Sequence, residues 1–280
     1  MKEIAVTGGK GGVGKSTVAV LIAGQIAKKE RVILVDADVE CPNDYLLTNQ
    51  RLGNSVSQVI AYYPELIESK CRGCGLCAQK CRFNAIFAPP GNKPEFYNDL
   101  CANCGLCWHV CPFGAITKVK KSIGEIFENK ISNNLQLITG LSGQGVDETG
   151  PIVQDLRKYA RKQAEMMGIE TIIIDTAPGA HCSVINALLG VDRAIAVTEP
   201  TPLGSHDLEV IVNVIERLNI DYQVVVNQAD LGDINLIKNN FNREKIIAEI
   251  PYCQKISDGY GKGELLALDS HRVEKCLEKI

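Results

Sequence analysis

A glycine-rich loop between two apolar stretches constrains this chain more than any other segment. Gly8-Gly9-Lys10-Gly11-Gly12-Val13-Gly14-Lys15-Ser16-Thr17 follows the apolar run Ile4-Ala5-Val6 and precedes a proline-free, apolar-rich segment, 18–27. That order reads as strand, loop, helix. Gly9, Gly14, Lys15 and Ser16 match the phosphate-binding spacing G-x-x-x-x-G-K-[ST]. Glycines let successive backbone N–H groups turn inward around phosphate oxygens, and the helix N-terminus adds its positive dipole end. Gly11, Gly12, Val13, Gly14, Lys15, Ser16 and Thr17 form the expected nucleotide cradle. Lys15 would reach the β- and γ-phosphates, and Ser16 would ligate Mg²⁺.

The remaining apolar runs place this loop in a sheet. Residues 31–38 read Arg-Val-Ile-Leu-Val-Asp-Ala-Asp, a continuous apolar run that suits a parallel strand buried on both faces. It ends in two carboxylates, Asp36 and Asp38, where an open α/β sheet binds its ligands. Carboxylates there hold Mg²⁺ or orient a water for attack on a γ-phosphate, against the plainer reading of a strand-end cap. Residues 171–175, Thr-Ile-Ile-Ile-Asp, repeat the pattern with Asp175 at the end. Further strands are expected at 135–139, 193–198, 224–230 and 246–250, with helices at 152–166 and 205–218. A short helix is expected near 55–62.

Twelve cysteines are the anomaly of composition, and eight of them fall between Cys71 and Cys111. No secretory leader is visible at the N-terminus, so metal or cluster ligation outranks disulfides and a cytoplasmic setting is expected. A net charge of −3 argues against nucleic acid as a partner held by bulk charge. No apolar run approaches the ~20 residues of a membrane span.

Cys71, Cys74, Cys77 and Cys81 follow C-x₂-C-x₂-C-x₃-C, and Cys101, Cys104, Cys107 and Cys111 repeat it before Pro112. Cys-Gly-Leu-Cys and Phe-x-Ala-Ile recur in both halves. This duplication resembles the two-cluster bacterial ferredoxins over residues 65–119, with Arg82 standing where the pattern has proline. In that pattern the fourth cysteine of each run ligates the other cluster. The resemblance therefore implies one [4Fe–4S] cluster on Cys71, Cys74, Cys77 and Cys111, and a second on Cys81, Cys101, Cys104 and Cys107. Structural zinc is the competing reading, but zinc sites separate their cysteine pairs by longer loops. The turn 89–94, Pro-Pro-Gly-Asn-Lys-Pro, would join two short strands between the repeats.

Lys10 to Thr17, taken with Val35-Asp36-Ala37-Asp38, resembles the deviant Walker A ATPases, the MinD/ParA/Mrp group that includes the nitrogenase iron protein. The resemblance covers residues 1–64 and 120–280. It implies ATP and Mg²⁺ as cofactors and a dimer, homomeric or formed with a paralogue, that sandwiches nucleotide. Lys10 would reach the partner's nucleotide, Asp38 would position the attacking water, and Lys10, Lys15 and Asp38 together would be catalytic. Ser16, Asp36 and Asp175 would serve Mg²⁺. Thr176-Ala177-Pro178-Gly179 resembles the group's switch II. Asn227 would read the adenine edge, beside Pro251 in the nucleotide-edge loop. Asn227-Gln228-Ala229-Asp230 also approaches the N-K-x-D of GTPases, although ATP is favoured. Cys182 sits where the nitrogenase iron protein carries a cluster ligand. It is read either as a packing residue or as a ligand to a metal centre at the dimer interface. Residues 143–151 form a glycine-rich loop, read as a plain connection or as a nucleotide-responsive or partner surface.

These readings describe an α/β P-loop NTPase with a mostly parallel sheet and helices on both faces, carrying an inserted small α+β ferredoxin domain. Its expected activity is slow, partner-stimulated ATP hydrolysis coupled to iron–sulfur or metal-cofactor assembly or transfer. The alternatives are an ATP-gated electron donor resembling the nitrogenase iron protein and a partitioning ATPase with redox-sensing clusters. Each requires a protein acceptor that the sequence does not name.

Overall fold

The computed structural model describes residues 1–267. Cys276 and the charged helix expected over 273–280 lie outside them. Two compact units emerge: Met1–Ser57, Ile126–Leu141 and the described part of Thr149–Ile280 form the first, and Gln58–Glu125 with Ser142–Glu148 the second.

In chain order the first unit opens with β1 (Lys2–Thr7), α1 (Lys15–Ala27), β2 (Val32–Ala37) and the short α2 (Asp44–Leu47). β3 (Ser57–Leu66), α3 (Leu76–Lys80), β4 (Ile86–Phe87), β5 (Glu95–Phe96), α4 (Leu106–Val110) and β6 (Ile116–Lys130) follow. The chain continues through β7 (Leu135–Ser142), α5 (Gly150–Met167), β8 (Thr171–Thr176), α6 (Cys182–Leu188) and β9 (Arg193–Thr198). It ends in α7 (Pro202–Arg217), β10 (Asp221–Asn227), α8 (Asn235–Asn240), β11 (Ile246–Ile250) and α9 (Gln254–Lys262).

The first unit is built on the strand order β11-β10-β9-β1-β8-β2-β7, parallel throughout. Ile33, Leu34, Ile172, Ile173 and Ile195 are fully buried at consecutive or alternate positions because both sheet faces are covered. On one face α1 packs Val18, Ala19, Ile22 and Ala23 against Val6, Leu34, Leu137 and Ile173. Each of the valine, leucine and isoleucine side chains contributes about 1.5–3 kcal/mol of burial free energy. α5 is amphipathic in the helical period, burying Ile152, Val153, Leu156, Ala160 and Ala164. Register brings chemistry together at the strand ends: Val6 pairs with Asp175, and Asp36 lies directly opposite Asp175.

The second unit takes in more than the cysteine-rich stretch. It includes most of β3, the N-terminal part of β6 and the loop Ser142–Glu148. Residues 57–66 form a strand, correcting the short helix expected near 55–62. Val59 and Ala61 are buried, while Gln58, Ile60 and Tyr62 between them are exposed. That is the two-residue period of a strand, and β-branched and aromatic side chains favour it over helix. β4 and β5 pair antiparallel across the proline-rich turn. A small core of Cys77, Ile86 and Ile116 is closed by Phe96, Trp108 and neighbouring cysteines, so Trp108 is a packing residue.

The first unit is also held by a buried charge cluster. Glu3, 5 % exposed, accepts hydrogen bonds from Arg157 Nη2 at 2.6 Å and Arg161 Nη2 at 3.0 Å. Burial alone would raise the Glu3 pKa, but the hydrogen bonds from Arg161 and Arg157 outweigh it and hold it below the ordinary 4.5. The pairing therefore contributes stability above the unfolded-state pKa and loses it as pH falls through the folded value. Glu3→Gln should destabilise the protein by about 3 kcal/mol, because it strands Arg157 without its counter-ion. Denaturant unfolding at pH 7 measures this loss, and the gap between Glu3→Gln and the wild type should narrow at acid pH.

Candidate functional site

The glycine loop leaves β1 at Thr7 and returns to the helical backbone at Lys15. Gly14 is left-handed, φ +93°, and a Cβ there would lie 2.3 Å from Asn227 Nδ2. Only glycine fits both constraints. Asn227 Nδ2 donates to Val13 O at 3.0 Å, so this residue, expected at the adenine edge, also braces the phosphate loop. Lys15 is 6 % exposed, and its Nζ donates to Lys10 O at 3.2 Å. Burial lowers the Lys15 pKa, and the Asp175 and Asp38 carboxylates oppose that fall.

A cavity of about 350 Å³ opens beside the loop. Of the residues expected to hold nucleotide, Gly11, Gly12, Gly14, Lys15, Ser16, Thr17, Asn227 and Pro251 line it together with Asp38. Val13 turns into the core instead, 3 % exposed, and contributes its backbone. Pro178 of the 176–179 segment also reaches the cavity, and Gly179 N donates to Gly8 O at 3.2 Å. That backbone bond ties the segment resembling a switch directly to the phosphate loop. Tyr260 and Ser257 line the cavity as well. They come from α9, whose sequence carries no nucleotide motif.

The carboxylates lie deeper. Asp36 Oδ2 accepts from the backbone N–H groups of Asn43, at 2.9 Å, and Asp44, at 3.0 Å. Asp36 Oδ1 accepts from Asp38 N at 3.2 Å. Asp175 accepts from the Ser16 hydroxyl, yet its Oδ1 has no partner. Burial pushes the Asp175 pKa up to about 7 against the pull of Ser16 and Lys15. Asp36 is raised well above its ordinary value by burial and by Asp175, and Asp38 is raised by burial. An oxygen-only donor set with a buried orphan oxygen fits Mg²⁺. Ser16, Asp36 and Asp175 would hold it, and the ion would neutralise charge on the phosphate oxygens.

Lys10 projects from the same loop. Its Nζ donates to Glu199 Oε1 at 2.7 Å, so within one chain it is held by a carboxylate just beyond β9.

In the second unit the cysteines fall into two sets of four. Cys71, Cys74, Cys77 and Cys111 line one cavity, with Pro94, Phe113 and Ile116. Cys81, Cys101, Cys104 and Cys107 line another, with Pro64, Phe83 and Ile86. The fourth cysteine of each run thus joins the other run's first three. Burial raises the thiol pKa of Cys77 and Cys101, and that of Cys107 to about 11. The backbone N–H groups of Ala78, Asn103 and Trp108 donate to Cys77, Cys101 and Cys107 and oppose the rise. Four soft sulfur donors around an apolar cavity fit iron–sulfur ligation, in which iron replaces the proton. The loop at 144–148 lines a third cavity of about 190 Å³ with Tyr63, Asn98, Cys101 and Lys121.

Cys182 begins α6 and is exposed, and among the described residues it belongs to no group of three or more metal-ligating side chains. Asp44 escaped sequence reasoning. Its stretch carries no motif, yet the residue is fully buried and its carboxylate lies with those of Asp36 and Asp175.

The fold and this loop define a P-loop nucleotide-binding protein of the α/β class. Residues 4–266 match the family model described as the CobQ/CobB/MinD/ParA nucleotide binding domain, and the chain belongs to that family. An uncharacterised protein of Methanocaldococcus jannaschii is 37 % identical over 94 % of this chain and 91 % of its own length. The iron–sulfur cluster carrier protein of Pyrococcus horikoshii is 25 % identical over 93 % of this chain and 67 % of its own. Among solved structures, the septum site-determining protein MinD of Pyrococcus horikoshii, complexed with Mg-ADP, superposes with a TM-score of 0.62. That match is at 15 % identity and covers 99 % of this chain and 93 % of that one. Among the described residues no helix is long and apolar enough to cross a membrane.

Gly14→Ala should collapse nucleotide binding, because the new methyl displaces Asn227 and forces φ out of the left-handed region. Titration with a fluorescent ATP analogue should show affinity reduced by about tenfold or more, given the 1–3 kcal/mol cost of such strain.

Proposed function

We propose that this chain is a dimeric ATPase whose nucleotide cycle drives an inserted two-[4Fe–4S] ferredoxin domain, in iron–sulfur or metal-cofactor assembly or transfer. The observation that carries the reading is the sorting of eight cysteines into two four-sulfur sets with exchanged fourth members, in a chain that also holds a complete phosphate loop. The domain is read as residues 65–119, inserted into an ATPase of residues 1–64 and 120–280. The printed name of the Pyrococcus horikoshii carrier protein gives the assembly reading its weight over the alternatives.

In the nucleotide site, Lys15 holds the β- and γ-phosphates and Asp38, on the cavity wall, orients the attacking water. Lys10 serves the partner protomer's nucleotide once the Glu199 contact gives way. Asn227 and Pro251 bound the base, and the donor set at Asn227 favours ATP. Cys182 at the dimer interface is a further ligand candidate for a shared metal centre. The setting is cytoplasmic, with a protein acceptor rather than nucleic acid or a membrane. An ATP-gated electron donor is the second reading, favoured by the close succession of the 176–179 segment and Cys182.

Lys10→Ala should lower ATP hydrolysis by about a hundredfold or more, the loss typical of one transition-state donor, while nucleotide affinity of the monomer stays near wild type. Full turnover in this variant would sink the across-dimer role. Asp38→Asn should likewise bind ATP and fail to cleave it.

Anaerobic reconstitution should give about eight irons per chain, as two [4Fe–4S] clusters require. Cys111→Ser and Cys81→Ser should each disturb a different cluster in paramagnetic resonance spectra of the reduced protein. Stoichiometric zinc with no iron uptake would end the ferredoxin reading. With ATP present, transfer of iron to an apo-acceptor while the two clusters persist supports assembly. A nucleotide-dependent change in cluster potential without transfer supports the electron donor, and neither effect supports the redox-sensing switch.

A further inference from the structure

We propose that Asp44 completes, with Asp36 and Asp175, a three-carboxylate site that holds one hard divalent cation, Mg²⁺ or Mn²⁺, at the phosphate loop before nucleotide arrives. One carboxylate oxygen from each residue lies within 4.8 Å of the others, and all three residues are buried. Acidic residues often cluster on protein surfaces with no ion between them, but Asp44 is 0 % exposed and has no water to fall back on.

The satisfied and unsatisfied oxygens divide unevenly. Both Asp36 oxygens take backbone N–H donors from the β2–α2 connection. Neither Asp44 oxygen has a donor at all, and Asp175 Oδ1 has none either. Three of the six carboxylate oxygens are therefore buried with no hydrogen-bond donor. Lys15 is buried in the same site, but its Nζ donates to Lys10 O, and the charges acting on Asp44 are all negative: Asp36, Asp175 and Asp38. Chains do not retain an uncompensated carboxylate in the interior, because desolvation of the charge has nothing to offset it.

The donor chemistry selects the ion. An all-oxygen set suits Mg²⁺ or Mn²⁺ and disfavours zinc and copper, which take nitrogen and sulfur ligands. Mg²⁺ keeps several waters in its shell, and these are the ligands that phosphate oxygens would replace on nucleotide binding. Asp44 would thus let the empty site keep its ion between turnovers, where Ser16, Asp36 and Asp175 alone suffice only with phosphate present. Asp44 lies in the first turn of α2, directly after Asn43, which lines the nucleotide cavity. This inference rests on the nucleotide reading of the loop and is independent of the iron–sulfur reading.

The test uses the full chain, freed of nucleotide and metal by chelation and desalting. Free Mn²⁺ is followed by its paramagnetic resonance signal during titration, and a fluorescent ATP analogue with Mg²⁺ is titrated into the same preparation. The expected result is one Mn²⁺ bound per chain without nucleotide and displaced by Mg²⁺, which thiolate-bound metal would not be. Asp44→Asn should weaken that binding about tenfold or more, the loss typical of a ligand-sphere residue. Asp44→Leu, which removes the carboxylate altogether, should do the same. Both variants should keep the wild-type far-UV circular dichroism spectrum, which separates lost metal binding from a lost fold. No Mg²⁺-displaceable Mn²⁺ on the nucleotide-free wild type overturns the proposal and leaves a proton shared among the carboxylates as the compensation. Binding unchanged in either variant overturns it equally. Failure of the wild type to bind the ATP analogue is a separate result, which sinks the nucleotide reading instead.

Discussion

The burial of like charge at the ends of β2 and β8 is the constraint on which the nucleotide site depends. Asp36 and Asp175 sit opposite each other in the sheet register, with Asp44 packed against them and Lys15 entering from the loop. Arranged in water these groups would keep ordinary pKa values and attract no particular ligand. Enclosed by the sheet, the three carboxylates are pushed toward neutrality and the lysine toward losing its proton. A site in that condition gains from any ligand that brings a cation to the carboxylates and an anion to the lysine. A divalent ion with a polyphosphate supplies both at once.

The sheet order explains why these groups can meet. β1 lies between β8 and β9. The chain fills one side of β1 with β2, β7 and β8, then crosses to the other with β9, β10 and β11. Neighbouring connections diverge at such a point and leave a crevice at the strand ends. The loop after β1 occupies it. Asn227 reaches it from β10 and Pro178 from beyond β8, so residues far apart in sequence converge because parallel strands all end on the same edge.

The continuous apolar runs were legible because a strand buried on both faces leaves no polar position to confuse the period. Asp36, Asp38 and Asp175 were legible because they end those runs. The two four-cysteine sets followed from the resemblance to two-cluster ferredoxins, in which the fourth cysteine of each run serves the other cluster. The short helix expected near 55–62 was a misreading of the strand at 57–66, whose two-residue alternation shows only once burial is known. Asp44 was illegible for a different reason. An Asn-Asp pair opening a helix normally offers its carboxylate to the helix dipole and to solvent, and nothing local announces that α2 is covered. Glu199 as the partner of Lys10 was also beyond reach, being 189 positions away in sequence.

The chain passes from the unit that holds the phosphate loop into the unit that holds the eight clustered cysteines, and back. The chain leaves the first unit after the segment that carries Asp38 and Glu40, and it returns for good at Thr149. Thr149 Oγ1 donates to Glu40 Oε1 at 3.1 Å, so the residue at which the chain re-enters the first unit is tied to a position two residues beyond Asp38. Thr149 is continuous with the loop Ser142–Glu148, whose residues 144–148 share a cavity with Cys101. The Thr149–Glu40 hydrogen bond, worth about 1 kcal/mol, lies within the first unit, between the segment after β2 and the N-cap residue of α5.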